Sequence, residues 1–322
     1  MGIRPNNTKT YLVTGGAGFI GSEFIRKRCS KKDFKKLFIV DKLTYAANLL
    51  RISNELNIEN VELIKGDISD TDLYQSALKE TDVIVHFAAE SHVDRSIKDG
   101  TPFIQSNIVG SYSILEAARV NFVEKILMVS TDEVYGSIEI GASDESFILS
   151  PSSVYSASKA SSDLIALAQF KTFNQNVIIT RACNNYGKFQ DSEKFIPNVI
   201  RRALANESIP IYGDGKNVRE WLHVSDHIDA IDLLLAKGKS GEIYNVGSGD
   251  RRSNIDVARL ILNLLAKSES LITFVEDRKG HDIRYSLDST KIQVEIGWKA
   301  KINFEDGIKA LLNFELGKTN GV

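Results

Sequence analysis

Short runs of apolar, β-branched residues recur along the chain, with longer amphipathic segments between them. Six runs predict strands, at residues 11–14, 37–40, 61–64, 83–87, 126–129 and 177–180. The intervening segments predict helices at residues 19–29, 70–78, 102–120 and 155–173, the third with a proline near its first turn. Near-continuous Val, Ile and Leu are typical of parallel strands whose two faces are both covered by helices. The pattern therefore predicts an α/β fold with a doubly wound parallel sheet.

The alternation of strands and helices weakens after about residue 185. Glycine-containing loops follow, with helices predicted near residues 197–205 and 255–266. Because no repeat, low-complexity tract or flexible linker separates the two halves, we expect a smaller C-terminal substrate-binding lobe that packs against the first half and forms a cleft with it. We expect one domain over residues 1–185 and the lobe over residues 186–322, with part of 225–250 returning to the first domain.

The composition is that of an ordinary globular protein, with 43% hydrophobic and 25% charged residues in 322, which excludes disordered and collagen-like classes. A net charge of −2 provides no global positive field for nucleic acid. Neither the two cysteines nor the five histidines have metal-ligand spacing, and no apolar run reaches the roughly 18 residues of a membrane span. The first six residues lack an apolar signal region. We therefore expect a cytoplasmic protein with no metal, no nucleic-acid partner and no membrane association.

A glycine-rich segment follows the first predicted strand and opens the first helix, with glycines at positions 15, 16, 18 and 21. Glycines at this position let the backbone turn sharply and approach a pyrophosphate, whose charge the free N–H groups of the helix N-terminus stabilise. Asp41 ends the second strand, about 20 residues after Gly21, where a carboxylate accepts hydrogen bonds from an adenosine ribose and repels a 2′-phosphate. The first domain is therefore predicted to be a Rossmann-type domain that binds NAD rather than NADP.

Further cofactor candidates follow the next two strands. Asp67 and Ile68 are candidates for the adenine edge, and Ala88 and Ala89 could line the dinucleotide with small side chains. Each would be ordinary strand-end packing if it stood alone, and the glycine segment favours the cofactor interpretation. The complete set of cofactor-binding candidates is Gly15, Gly18, Phe19, Ile20, Gly21, Asp41, Lys42, Leu43, Thr44, Asp67, Ile68, Ala88, Ala89, Ser91, Ser106, Tyr155, Lys159 and Asn185.

Tyr155 and Lys159 stand four residues apart on a predicted helix and so share one face. A neighbouring ammonium favours the phenolate of a tyrosine, and the same lysine can bond a nicotinamide ribose, which makes the pair a candidate base for hydride transfer. By itself such a pair is usually a solvated helix face. The dinucleotide segment makes the catalytic interpretation the stronger one.

Thr131, Asp132 and Glu133 stand at the carboxyl end of the fifth predicted strand, where open α/β sheets place their ligands. An isolated Asp-Glu pair is usually solvated or caps a helix. In a closed cleft, however, two crowded carboxyls have their pKa values pushed apart, so that one stays protonated while the other accepts a proton. The trio is therefore a candidate for elimination chemistry.

The glycine segment together with the Tyr-x-x-x-Lys pair resembles the extended short-chain dehydrogenase/reductases, and within them the dTDP-glucose 4,6-dehydratase family. The stretches that carry the resemblance cover nearly the whole chain, at residues 40–46, 88–96, 130–136, 155–163, 181–187, 212–215, 219–224, 280–285 and 297–298. The resemblance implies a lyase of rhamnose-type deoxysugar biosynthesis that converts dTDP-glucose to dTDP-4-keto-6-deoxyglucose and water, with NAD regenerated in each turnover.

The same resemblance implies roles for individual residues. Tyr155 would take the proton of the sugar 4-hydroxyl, and Thr131 would bond the nascent C4 carbonyl. Glu133 would remove the C5 proton, and Asp132 would protonate the departing 6-hydroxyl. The substrate-binding residues implied are His92, Thr131, Asn184, Lys194, Phe195, Pro210, Tyr212, Arg219, Asn254, Arg284 and Tyr285.

Family members are typically homodimers, which implies a dimer through the helices at 102–120 and 155–173.

Two features depart from the family pattern. Val154 stands where a proline commonly precedes the tyrosine, and the loop at 137–150 is short. Both bear on how the substrate is enclosed and how its base is selected.

Other functions stay open at this point. A nucleotide-sugar 4-epimerase, or a 4,6-dehydratase acting on another nucleotide sugar, would share the cofactor end. Asp132 and Glu133 argue against an epimerase, because simple epimerisation requires no proton removal at C5. A non-catalytic NAD-binding protein would be expected to have lost part of the trio, Tyr155 or Lys159, and all are present.

Overall fold

A computed structural model describes residues 9–319, so the N-terminal residues on which the targeting prediction rests lie outside the described part. Its strands are β1 Thr10–Thr14, β2 Lys36–Asp41, β3 Val61–Lys65, β4 Val83–His86, β5 Lys125–Thr131, β6 Val177–Ala182, β7 Asn184–Tyr186, β8 Ile209–Tyr212, β9 Val218–His223, β10 Ile243–Val246, β11 Arg251–Ser253 and β12 Ile272–Val275. Its α-helices are α1 Phe19–Lys31, α2 Gln75–Glu80, α3 Val93–Lys98, α4 Thr101–Phe103, α5 Ser111–Val120, α6 Val154–Phe173, α7 Phe195–Ala205, α8 Val224–Lys237, α9 Asn254–Leu264, α10 Thr290–Ile296 and α11 Phe304–Thr319.

A seven-stranded sheet forms the centre of the molecule, in the order β10-β6-β5-β4-β1-β2-β3 with every neighbouring pair parallel. The predicted doubly wound α/β sheet is confirmed, and each predicted strand overlaps a strand of this sheet. The order in which the chain adds strands reverses between β1 and β4: β2 and β3 extend the sheet on one side of β1, and β4, β5 and β6 extend it on the other. Open α/β sheets place ligands in the crevice beside such a reversal, outside the carboxyl ends of the strands.

The strands of this sheet are buried on both faces, which explains their near-continuous apolar character. In β1, Tyr11 and Val13 belong to the hydrophobic cluster that includes Phe24 of α1 and Ile231 of α8. Leu12, between them, belongs to the opposite cluster with residues of α5 and α6. Successive side chains of a strand point to opposite faces, so both helix layers are needed to bury one strand.

A separate hydrophobic cluster forms the smaller lobe. It combines residues of α7, α9 and α11 with Trp221 of β9, which lies in a three-stranded sheet of order β11-β9-β7. Strands β8 and β12 form a second, two-stranded sheet. After crossing into this lobe the chain returns to the central sheet, where β10 pairs with β6. The division of the chain at residue 185 stays a prediction.

The predicted helices differ from the observed ones in two places. The segment at 70–78 is a 3₁₀ turn, Thr71–Tyr74, followed by the short α2. The segment at 102–120 is interrupted by a π-helix, Ile104–Gly110, between α4 and α5, although Pro102 lies in the first turn as expected. Hydrophobic periodicity indicates that a segment is helical, but it does not determine which hydrogen-bond register the helix adopts.

Candidate active site

Two adjoining pockets lie at the carboxyl ends of the central strands. The inner pocket is lined by Thr131, Asp132, Glu133, Tyr155 and Lys159, together with the glycine segment. The outer pocket is lined by Asp41 at the end of β2, by Ser106 of the π-helix, and by residues that follow β2, β3 and β4. The last group consists of Lys42, Thr44, Asp67, Ile68, Ala88 and Ala89. Gly15 and Gly18 lie on the walls of both, so the two pockets form one elongated cleft.

The glycine segment forms a backbone cradle between these pockets. Gly15 has a φ of +68°, and a Cβ there would lie 2.6 Å from the backbone nitrogen of Ala88. A Cβ on Gly21 would lie directly against the Gly15 carbonyl oxygen. Gly18 precedes α1 and provides no side-chain cap, so the first N–H groups of the helix are left for an anion. The cradle therefore fits a pyrophosphate.

Asp41 is fixed at the end of β2 by the backbone around it. Its Oδ2 accepts a hydrogen bond from the Ala17 N–H at 2.9 Å, and its Oδ1 accepts one from the Leu43 N–H at 2.8 Å. Burial raises the pKa of Asp41, and the two N–H groups oppose that rise. Leu43 contributes its backbone here and does not line either pocket. Across the outer pocket, Lys42 donates to Asp67 at 2.7 Å.

The π-helix shapes the wall of the outer pocket. It carries Ser106 on the wall and directs the buried Asn107 toward the loop after β4. The Asn107 side chain accepts a hydrogen bond from the Glu90 N–H at 2.8 Å and donates to the Glu90 carbonyl at 3.0 Å and to Ser158 Oγ at 2.9 Å. This side chain therefore joins the cofactor loop to helix α6, and π segments of this kind occur frequently at functional sites.

Helix α6 begins with a capping box rather than with a proline. Ser153 Oγ accepts a hydrogen bond from the Ser156 N–H, and Ser156 Oγ accepts one from the Ser153 N–H, both at 3.1 Å. Such reciprocal bonds satisfy two N–H groups that a helix start leaves free. Val154 is the first residue of the helix. The start of α6, and with it the position of Tyr155, is thus fixed without the expected proline.

Tyr155 and Lys159 are both buried on the face of α6 that meets β5. Lys159 Nζ donates to the Val129 carbonyl at 2.8 Å, and burial lowers the pKa of its ammonium. Burial also raises the pKa of Tyr155, Glu133 raises it further, and a hydrogen bond from Thr131 opposes the rise. Burial and the neighbouring carboxylates thus favour the neutral phenol. The expected stabilisation of the phenolate by Lys159 stays a prediction.

The candidate trio is placed by the end of β5. Thr131 is the last strand residue, and its Oγ1 accepts the Glu133 N–H at 3.3 Å, which caps the 3₁₀ turn Asp132–Tyr135. Asp132 is 3% exposed, and its Oδ2 has no hydrogen-bond partner among the described residues. Burial raises the pKa of Asp132 well above its usual range, and the negative charges of Glu133 and Glu220 add to the rise.

Glu133 has a different electrostatic environment from its neighbour. Burial raises its pKa as well, but the positive charges of Arg219, Arg278 and Lys194 oppose the rise. These positive charges make the rise in the Glu133 pKa smaller than burial alone would give. For Asp132, two carboxylates add to the rise and only the Arg219 guanidinium and a hydrogen bond from Thr131 oppose it. The division of the pair into one acid and one base stays a prediction.

The substrate-binding candidates are divided by the structure. His92, Asn184 and Lys194 line the inner pocket with Thr131, and Lys194 Nζ donates to the Ser91 carbonyl at 2.7 Å. Arg219 and Tyr285 are buried behind this wall. The Arg219 guanidinium lies 4.2 Å from the centre of the Tyr285 ring.

The remaining candidates do not line either pocket, and their roles stay predictions. They are Phe195, Pro210, Tyr212, Asn254 and Arg284. Phe195 stacks on Trp221, and Arg284 donates to the carbonyls of Ile138 and Gly141 at 3.0 and 2.9 Å. Arg284 therefore holds the loop at 137–150, and its nucleotide contact stays a prediction.

The structure adds residues to the site that the sequence analysis missed. Arg278 lies 3.6 Å from Asp94, and its positive charge opposes the rise of the Glu133 pKa. Tyr45 and His227 line the inner pocket. Arg278 stands two residues before the stretch at 280–285 and Tyr45 falls inside that at 40–46, so attention to charged and aromatic residues in and near those stretches would have found both. His227 gave no such signal.

Within residues 9–319, His, Cys, Asp and Glu form no group that could hold a metal ion. No helix in that range is long and apolar enough to cross a membrane.

Comparisons with known proteins agree with this geometry. The sequence model of the GDP-mannose 4,6-dehydratase family matches residues 12–311. A dTDP-glucose 4,6-dehydratase of Streptomyces niveus is 44% identical over 90% of this chain and 88% of its own. The crystal structure of a dTDP-glucose 4,6-dehydratase from Streptomyces venezuelae with NAD and dTDP bound is 43% identical, with a TM-score of 0.94 over 97% of this chain and 98% of its own. A UDP-glucuronic acid 4-epimerase from Bacillus cereus, solved with NAD, is 25% identical, with a TM-score of 0.90 over 96% and 99%.

Proposed function

The chain belongs to the GDP-mannose 4,6-dehydratase family, and on that basis we propose that it is a dTDP-glucose 4,6-dehydratase. It converts dTDP-glucose to dTDP-4-keto-6-deoxyglucose and water, with NAD as the cofactor. Other dTDP-glucose 4,6-dehydratases are 42–45% identical to the chain across about nine-tenths of its length.

The observation that carries the proposal is the pair of carboxyls, of buried Asp132 and half-buried Glu133, that line the pocket with Tyr155. A 4-epimerase needs only a base and a hydride acceptor, whereas loss of water across C5 and C6 needs one group to remove a proton and another to deliver one. Asp132 and Glu133 suit these two tasks, because burial and nearby carboxylates favour a proton on Asp132, whereas three nearby cations oppose the rise of the Glu133 pKa. This feature favours a dehydratase over an epimerase of the same fold.

The residues of the inner pocket have the following roles. NAD bound along the cleft would supply the hydride acceptor for C4 of the sugar and, once reduced, the hydride donor for C6. Tyr155, as the phenolate, takes the proton of the 4-hydroxyl, and Thr131 bonds the C4 oxygen. Because a C4 ketone makes the C5 proton acidic, ionised Glu133 can remove it. Protonated Asp132 then donates to the departing 6-hydroxyl, and Glu133 returns its proton to C5 when the hydride reaches C6.

The nucleotide diphosphate lies on the cationic side of the pocket. Lys194 lines the wall, and Arg219 and Arg278 bring two further positive charges near Glu133. Guanidinium groups suit the oxygens of a diphosphate, because their planar donors match it. Asn184 lines the same wall, and its Oδ1 has no partner among the described residues.

The test is incubation of the purified protein with dTDP-glucose or UDP-glucose, without added reductant. The alkali-dependent absorbance of a 4-keto-6-deoxy sugar should appear with dTDP-glucose and be weak or absent with UDP-glucose. Absorbance with UDP-glucose alone would assign a different nucleotide. If neither sugar gives a keto product but a C4 epimer appears by chromatography, the epimerase is the correct assignment.

The proposal includes a homodimer formed by α5, α6 and the π-helix. These elements expose large apolar side chains to solvent, at Ile104, Tyr112 and Leu164, each 46–57% accessible. A second copy of the chain would bury them. We expect a dimer by sedimentation that Leu164→Glu converts to a monomer, while Val294→Glu on the exposed face of α10 leaves it a dimer. A monomeric wild type would contradict the proposal.

A cytoplasmic location is also part of the proposal. Both cysteines, Cys29 and Cys183, are free and buried, which is compatible with a reducing compartment. Fractionation of cells that produce the protein should recover it with cytoplasmic enzymes. Recovery in a secreted or membrane fraction would contradict this location.

A further inference from the structure

His227 is a buried polar residue of the inner pocket to which the proposed reaction gives no role. It lies on α8, has no exposed surface, and forms part of the pocket wall with Phe19, Ile20 and Asn185. The outer pocket, where Asp41 and Asp67 lie, does not include it. His227 therefore belongs to the end of the cleft that holds the reacting groups.

The hydrogen bonds around Asn185 determine which nitrogen of His227 carries the proton. Asn185 Nδ2 donates to the Cys183 carbonyl at 2.9 Å, so Asn185 Oδ1 is the atom that lies 3.0 Å from His227 Nδ1. A carbonyl oxygen only accepts, and Nδ1 must therefore be protonated. Burial lowers the pKa of His227 to about 3, which keeps the ring neutral. Nε2 is consequently an unprotonated acceptor.

This acceptor has no partner among the described residues, although its atom is shielded from solvent. An acceptor in such a place is costly unless a ligand or a water donates to it. Beside it, the Asn185 amide uses one N–H for Cys183 and has a second to donate. An acceptor and a donor thus stand together on the wall of the inner pocket.

We propose that His227 and Asn185 together recognise the carboxamide of the nicotinamide ring. A primary amide presents a carbonyl oxygen and an NH₂ group side by side, which is the complement of the Asn185 N–H and the His227 Nε2. The inference rests on the proposed use of NAD and goes beyond it, because it assigns a cofactor contact to a residue of α8. Bonding both ends of the carboxamide would fix which face of the ring meets the sugar.

The test compares two cofactors on the NAD-free protein. In 3-acetylpyridine adenine dinucleotide a methyl ketone replaces the carboxamide, so the carbonyl oxygen remains but the NH₂ donor is lost. Equilibrium binding, followed by the change in protein fluorescence, should favour NAD by roughly 5- to 150-fold, the range expected when a buried acceptor loses its donor. Equal affinities would mean that a water satisfies Nε2, and would overturn the proposal.

Two variants separate the functions of the ring nitrogens. In His227→Asn the amide can still donate to Asn185 but does not reach the position of Nε2, so the preference for NAD should fall to nearly none. In His227→Gln the longer amide reaches that position, and the preference should be retained. His223→Asn serves as the control. His223 ends β9 and caps α8 by accepting the Ser225 N–H, and asparagine caps helices equally well, so this variant should behave as the wild type. A purely structural role for His227 would weaken both cofactors equally in His227→Asn, which would overturn the proposal.

A measurement on the unmodified protein covers the case in which these variants do not fold. Nitrogen-15 NMR of labelled histidine should show an unprotonated Nε2 in the NAD-free protein, and this resonance should shift more with NAD than with the acetylpyridine analogue. A protonated Nε2, or identical shifts, would overturn the inference. Because none of these readouts uses dTDP-glucose, failure of the dehydratase assay and failure of this inference are distinguishable.

Discussion

Replacing Asp132 by asparagine tests the acid role directly. Asparagine has nearly the same shape as the protonated carboxyl but cannot give up a proton at neutral pH. Asp132 is 3% exposed, and its Oδ2 has no hydrogen-bond partner among the described residues. Its Oδ1 accepts a hydrogen bond from the Thr131 hydroxyl at 3.2 Å, and that hydroxyl is far too weak an acid to replace a carboxyl as proton donor. We expect Asp132→Asn to bind NAD and dTDP-glucose but to lose most product formation.

The expected loss follows from the role of the group. A general acid contributes roughly 10²- to 10⁴-fold, and without a substitute donor we expect a fall in kcat of about 10³-fold or more. Release of deuterium from C5-labelled substrate distinguishes the two carboxyls. Exchange at C5 should persist in Asp132→Asn, because Glu133 remains, and should disappear in the matched variant Glu133→Gln. Unchanged product formation in Asp132→Asn would refute the reasoning.

The same variant has a pH-dependent effect on stability. The folded protein raises the pKa of Asp132, so above the ordinary range of aspartate the folded state holds a proton that the unfolded state releases. Stability then falls as pH rises, by at most about 1.4 kcal/mol per pH unit for this group, until the folded pKa is passed. Asp132→Asn lacks this titration. In urea unfolding, the free energy of unfolding of the variant relative to that of the wild type should increase as pH rises from about 4 to 7. A decrease of this difference over the same range would show that burial of the charge is not costly.

Three further variants test other parts of the structure. Gly21→Ala places a Cβ against the Gly15 carbonyl and should abolish NAD binding by calorimetry, and retained affinity would show that the cradle is not required. In the wild type, the buried Arg181 guanidinium lies 2.9 Å from the Asp163 carboxylate. Asp163→Asn removes this counter-charge and should lower the free energy of unfolding, measured in urea, by roughly 3–5 kcal/mol. Asp41→Ala should weaken NAD binding without producing tight NADP binding, because the carboxylate also holds two backbone N–H groups; a clean switch to NADP would contradict this.

The sheet could be predicted from the sequence because its strands have a local signature. In β1 every residue is buried, and the same is true of β4 and β6. Runs of this kind leave no polar face, so both the strands and the helix layers that cover them follow from the pattern. The glycine segment was equally informative, since its spacing and its position after a strand both restrict the backbone.

The parts that could not be predicted depend on contacts between distant segments. The π-helix at 104–110 is accompanied by hydrogen bonds from Asn107 to Glu90, which lies seventeen residues away. The pKa of Tyr155 depends on how completely the pocket excludes water, and no local pattern reports that. Arg284 is one arginine among many in the sequence, and only the fold shows that it holds the loop at 137–150.

The return of the chain to the central sheet has a consequence for synthesis on the ribosome. Strand β6 leaves the ribosome sixty residues before β10, which covers its free edge. At about 5–20 residues per second, this leaves the edge of β6, a mostly apolar strand that is fully buried in the folded protein, uncovered for roughly 3–12 s. An unpaired edge of this kind is a template for association with another chain. A nascent chain stalled within that interval is thus expected to recruit chaperones most strongly, and a fragment ending at residue 185 would keep that edge permanently.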